Sequence, residues 1–142
     1  MSTEDEVRNA SNQFYSALNK MVNGSSQSLS DIWSHSPAVT TMHPIGGREV
    51  GWKDVWATWD QTAKVASDGQ VKLEDQIIRV VGDMAYEIGI EKAEIMMAGQ
   101  KVTDQVRVTN IYQKEGGTWK IVHHHSDLSP AMVEILHKLQ KA

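Results

Sequence analysis

Apolar residues at Val7, Ala10, Phe14, Ala17, Leu18, Met21 and Val22 recur at the three-and-four spacing of one helix face, behind Thr3 and Glu6 at capping-box distance. This predicts an opening helix, stopped by Asn23-Gly24-Ser25-Ser26. Leu29, Ile32 and Trp33 give a brief helical turn before Pro37, and the β-branched run from Ala38 to His43 gives a strand ended by Pro44 and the Gly46-Gly47 pair. Between Gly51 and Ala66 the apolar positions Trp52, Val55, Trp56, Trp59, Ala63 and Ala66 return to helical spacing.

Beyond Gly69 the period changes to two. Strand-like runs at Val71 to Val81, Ala85 to Met97, Val102 to Gln113 and Trp119 to Ser126 are separated by Gly82-Asp83, Ala98-Gly99-Gln100 and Glu115-Gly116-Gly117, the pattern of an antiparallel meander. Ser129-Pro130 opens a closing amphipathic helix carrying Met132, Ile135, Leu136 and Leu139. The layout is α+β: a curved antiparallel sheet wraps the N-terminal helices and leaves a pocket on its concave face.

The chain has 142 residues, 40% of them hydrophobic, which suits one domain spanning 1–142. A net charge of -4 offers no basic field for nucleic acid. With no cysteine there is no disulfide or thiolate chemistry, and no stretch reads as a signal peptide or membrane span, so a cytoplasmic location is the expectation.

Half of the six histidines stand together in Trp119-Lys120-Ile121-Val122-His123-His124-His125. Strand parity divides them: Trp119, Ile121, His123 and His125 share the larger apolar face, assigned to the interior, and His124 faces out. The preceding strand is ambiguous, with Arg107, Thr109 and Ile111 on one face and Val106, Val108, Asn110 and Tyr112 on the other. An outward apolar face there implies a cover, most simply a second copy of the chain.

Three segments, "MHPIGGREVGWKDVWATW" (42–59), "GDMAYEIGIE" (82–91) and "RVTNIYQKEGGTWKIVHHHS" (107–126), resemble the SnoaL-like branch of the nuclear transport factor 2-like superfamily. The last is similar to the association domain of calmodulin-dependent kinase II. The resemblance implies a cone-shaped α+β barrel of cystatin type, dimeric through the convex sheet face, with a cavity between sheet and helices.

It also implies that Arg107 and Thr109 face the cavity, lined further by His43, Trp52, Trp56, Glu91, His123 and His125. In that arrangement Arg107 contacts Glu91. No aspartate matches the acid–base residue of the family's isomerases and cyclases: Asp75 shares parity with Leu73 and Ile77, Asp104 is read as outward, and Asp127 lies beyond the strand.

The functional expectation is a small-molecule-binding protein whose ligand bears a carboxylate or carbonyl. Its chemistry would be proton transfer next to a carbonyl, of isomerase, cyclase or dehydratase type, with His123 or His125 as base. The alternative is a non-catalytic homodimeric association or ligand-sensing module. A metal site built from His-x-His with His43 and Glu91 is set aside because arginine in the same pocket repels a cation, and no cofactor is expected.

Overall fold

The computed structural model describes residues 2–141. Helix α1 (Thr3–Met21) is followed by the short α2 (Gln27–Ile32), strands β1 (Thr40–His43) and β2 (Gly46–Val50), and helix α3 (Trp52–Val65). Four long strands, β3 (Ala66–Val81), β4 (Met84–Met97), β5 (Gln100–Glu115) and β6 (Thr118–Ser126), lead to helix α4 (Pro130–Lys141). They form one six-stranded sheet in the order β2-β1-β6-β5-β4-β3, antiparallel except where β1 runs parallel to β6. Among the described residues no helix is long and apolar enough to cross a membrane.

Three local differences from the expected elements have simple causes. The capping box of α1 sits one residue earlier, with the Ser2 hydroxyl accepting from the Asp5 amide and the Asp5 carboxylate from the Ser2 amide. Gly46 and Gly47 do not end the sheet. Both hold positive φ at the turn and lead into β2. Strand β3 starts directly after α3, five residues before the apolar run that announced it, because Ala66 and Ser67 pair with Met97 and Met96.

Curvature is written into β3 and β4. A bulge between Glu74 and Ile77 places Asp75 at φ 55, and Gly89 lies on β4 beside it. A Cβ on Gly89 would fall 2.6 Å from Leu73 Cδ1 and 2.9 Å from the Glu74 carbonyl oxygen, so only glycine lets the strands close up there. The concave face packs on Val7, Phe14, Leu18 and Met21 of α1 and Val55 and Trp59 of α3.

The outer edge of β3 is held by two asparagines four residues apart, Asn19 on α1 and Asn23 in the turn that ends it. Asn19 donates to the Val71 carbonyl (2.9 Å) and accepts from its amide (2.9 Å), while Asn23 does the same with Gly69 at 2.9 and 3.0 Å. Each side chain reproduces the pairing of a neighbouring strand. The double substitution Asn19→Ala with Asn23→Ala is expected to cost about 2 kcal/mol, given about 1 kcal/mol per partly exposed hydrogen-bonded pair. Chemical denaturation reads that loss, and scattering on storage reads the unmasked edge.

Candidate functional site

The segment that carries the three histidines contains the decisive irregularity. Tyr112 pairs with Ile121, but Ile111 pairs with His123, so a bulge at Val122 inserts one residue into β6. Side-chain parity reverses there. Trp119 and Ile121 point inward as expected, but the next inward residue is His124, which is 2% exposed, whereas His123 and His125 lie on the convex face.

The β5 assignment is corrected as well. Val106, Val108, Asn110 and Tyr112 are buried, so the more apolar face is the inner one, while the Arg107 side chain is 82% exposed. Arg107 Nε donates to Asp127 Oδ2 at 2.7 Å and Nη2 to Oδ1 at 3.1 Å, a fork on the outer surface with no contact to Glu91. Thr109 shares that outer face, paired with His125. Asp104, expected outside, is on the inner row with Val106, and Asp75 sits exposed in the β3 bulge.

Trp52 and Trp56 are half-buried, in ring contact with each other at 5.5 Å, and Trp52 stacks on His35 at 4.3 Å. Neither lines the interior cavity, whose tryptophan is Trp59. Of the expected lining residues, His43 and Glu91 do line it. Since His123 and His125 are outside, these four never converge as a ligand set.

The cavity lies between the sheet, α1, α3 and α4 and measures about 60 Å³. Its walls are mostly apolar, including Leu18, Met21, Ile95 and Met132, with polar side chains from His43, Glu91, Asp104 and His124. The His124 ring is wedged between Phe14 (5.4 Å) and Trp59 (5.6 Å), and His43 packs edge-on against Trp59 at 4.5 Å.

A buried hydrogen-bonded chain ties two of these groups together. The Tyr15 hydroxyl donates to Glu91 Oε2 at 2.7 Å, and Asn110 Nδ2 donates to the Tyr15 oxygen at 3.0 Å. Asn110 Nδ2 also reaches Glu87 Oε1 at 2.9 Å, which leaves Asn110 Oδ1 as acceptor for His124 Nδ1 at 2.6 Å. Nδ1 therefore carries the ring proton, and Nε2 keeps a lone pair free of any protein hydrogen bond. The other Glu91 oxygen, Oε1, is likewise unbonded.

Glu87 anchors the network: it is fully buried and accepts from Gln76, Asn110 and Tyr112 at 2.6, 2.9 and 2.8 Å. Tyr15, Glu87 and Asn110 escaped the sequence reading. Their signal is a carboxylate and an amide placed on otherwise apolar inward rows.

Burial pushes the Glu91 carboxyl up to about 7 from 4.5, with the Asp104 and Glu87 carboxyls adding to it and the Tyr15 hydrogen bond opposing it. Burial brings His43 down to about 4 from 6.5 and holds His124 well below its ordinary value, with His43 contributing. Desolvation, with Glu91 alongside, keeps the Tyr15 phenol protonated. His43 Nε2 is 3.5 Å from Glu49 Oε1 but makes no hydrogen bond to it. At neutral pH the cavity thus presents uncharged imidazoles and a carboxyl divided between its acid and base forms, a combination able to donate and accept protons.

The family model for the SnoaL-like domain matches residues 7–132. Among curated proteins the chain is 24% identical over 102 residues to F-box protein SKIP8 of Arabidopsis thaliana, covering 72% of this chain and 42% of that protein, so it spans about two fifths of that relative's length. Among solved structures it superimposes on a candidate dehydratase of the NTF2-like family from Streptomyces avermitilis (TM-score 0.78, 23% identity, 89% of this chain and 95% of that one). It also superimposes on the CaMKII hub of S. rosetta (TM-score 0.73, 18% identity, 91% and 98%). At these identities the structural likenesses establish the fold alone.

Proposed function

The chain belongs to the SnoaL-like domain family, and from that premise we propose that its concave cavity binds a small molecule and moves a proton next to a carbonyl. The observation that carries this reading is the Glu91–Tyr15–Asn110–His124 chain, both ends of which open on the same cavity. Glu91 near its midpoint can deliver a proton, His124 Nε2 can take one, and Tyr15 and Asn110 hold the two groups in orientation. This matches the isomerase, cyclase or dehydratase type of reaction, with His124 in the base role expected of His123 or His125 and Glu91 as the acid. The likeness to a candidate dehydratase is compatible with it.

Deuterium exchange at the α-carbon of small ketones, followed by NMR, tests the reading. The protein is expected to accelerate exchange above buffer, and Glu91→Gln or His124→Gln to return it to the buffer level. Exchange that persists unchanged in both variants would sink it.

A second reading rests on a separate observation. Ile77, Met84, Tyr86 and Ile88 are 41, 45, 43 and 38% exposed together on the convex face, a wide apolar surface for a chain of this size. We infer a homodimer closed over that face, in line with the likeness to association-domain structures. Sedimentation at low micromolar concentration decides it, a single monomeric species being the contrary result. The two readings are compatible, since they use opposite faces of one sheet.

A further inference from the structure

Within the cavity the protein offers hydrogen-bond acceptors in excess of donors. Glu91 Oε1 and His124 Nε2 are unbonded on side chains that are 6% and 2% exposed, and Asp104 Oδ2 is buried with no protein partner. The unpartnered donors among the lining side chains are the indole Nε1 of Trp59 and the one N–H of the neutral His43 ring, whose Nε2 has no partner. No lysine or arginine lines the cavity among the described residues, and Arg107, the cation expected there, is on the opposite face of the sheet. A carboxylate entering this space would meet two carboxyl groups and no countercharge, a costly arrangement in a desolvated site.

Resting on the cavity reading above, we propose that the site selects a compact, uncharged molecule by its hydroxyl groups, which donate to Asp104 and to the free end of the Glu91–His124 chain, and that it rejects carboxylates. Asp104 is the specificity-determining residue. It stands on β5, half-buried at the edge of the cavity, with the Ser129 side chain at the start of α4 beside it and its Oδ2 unpartnered. A hydroxyl placed next to a carbonyl satisfies the array best, since its O–H donates to the acceptors and its carbonyl oxygen accepts a hydrogen bond from the Glu91 carboxyl, the Trp59 indole or the His43 ring.

Three three-carbon probes separate the terms: hydroxyacetone is neutral with a donor, acetone is neutral without one, and lactate has the donor and a negative charge. Binding is measured by NMR titration of the cavity amides at millimolar concentrations. Hydroxyacetone is expected to bind about tenfold more tightly than acetone, the worth of one well-made hydrogen bond, and lactate to give no saturable shift. Asp104→Leu is expected to bring hydroxyacetone down to the level of acetone, so that the preference between the two is lost. Lactate or acetone binding as tightly as hydroxyacetone, or an Asp104→Leu protein that keeps the preference, overturns the inference and leaves the cavity a ligand site. Binding by none of the three overturns the cavity reading and the inference with it.

Discussion

Glu87→Ala is expected to lower unfolding stability by roughly 3–5 kcal/mol, because it strands two buried donors, each costing about 1–3 kcal/mol, removes a part-buried bond from Gln76, and leaves a void. Gln76 Nε2, Asn110 Nδ2 and Tyr112 Oη all converge on that carboxylate, and Tyr112 and Asn110 are themselves fully buried. Guanidinium unfolding at neutral pH is the measurement. Glu87→Gln should cost far less: its carbonyl oxygen still accepts from Asn110 and Tyr112, and Gln76 can turn its own amide to accept from the new NH₂. An alanine variant within about 1 kcal/mol of the parent would mean that the network is wet, since only a desolvated orphan is expensive.

The second large effect is a dependence of stability on pH that one substitution removes. Glu91 titrates near 7 in the folded protein and near 4.5 when unfolded, so the native state holds the extra proton between those values. Stability from this group is full below pH 4.5, falls as pH rises to 7, and levels off on the order of 3 kcal/mol lower. His43 works in the opposite sense: with a folded value of about 4 against 6.5, its contribution is full above pH 6.5 and is lost on acidification toward 4. The two slopes partly cancel in the parent protein. Comparing parent and Glu91→Gln isolates the first: the variant should match the parent near about pH 4 and exceed it at about pH 8 by most of that amount. A difference that does not vary with pH would show that Glu91 titrates alike in the folded and unfolded states.

Both effects concern residues whose role could be read from the sequence only unevenly. Element order was legible because long periodic runs dominate this chain, from the α1 stripe to the four meander strands. Faces were less so. In β5 periodicity left both faces open, and the resemblance that placed Arg107 inside decided for the wrong one, since the buried row is that of Val106, Val108 and Tyr112. In β6 a single inserted residue, Val122, turned His124 in and His123 and His125 out. Nothing in the letters of that run marks a bulge: it is fixed by how β6 pairs with β5, a contact between distant parts of the chain. Glu87 and Asn110 were hidden for a related reason, since a polar residue on an apolar row becomes intelligible only when its partners on other strands are known.

The clasp of Asn19 and Asn23 on β3 bears on how copies of this chain can associate. A free strand edge is an open-ended template: each added strand exposes a fresh edge, and growth has no natural stop. Here the start of the outer strand is already occupied by the chain's own helix, and at the other end of the sheet β2 is five residues long with two glycines. Contact is thereby diverted from edges to faces, and a face that binds its own copy about a two-fold axis is used up in doing so. Two asparagines, one on a helix and one in the turn that ends it, thus bias any self-association toward a finite particle and away from a fibre.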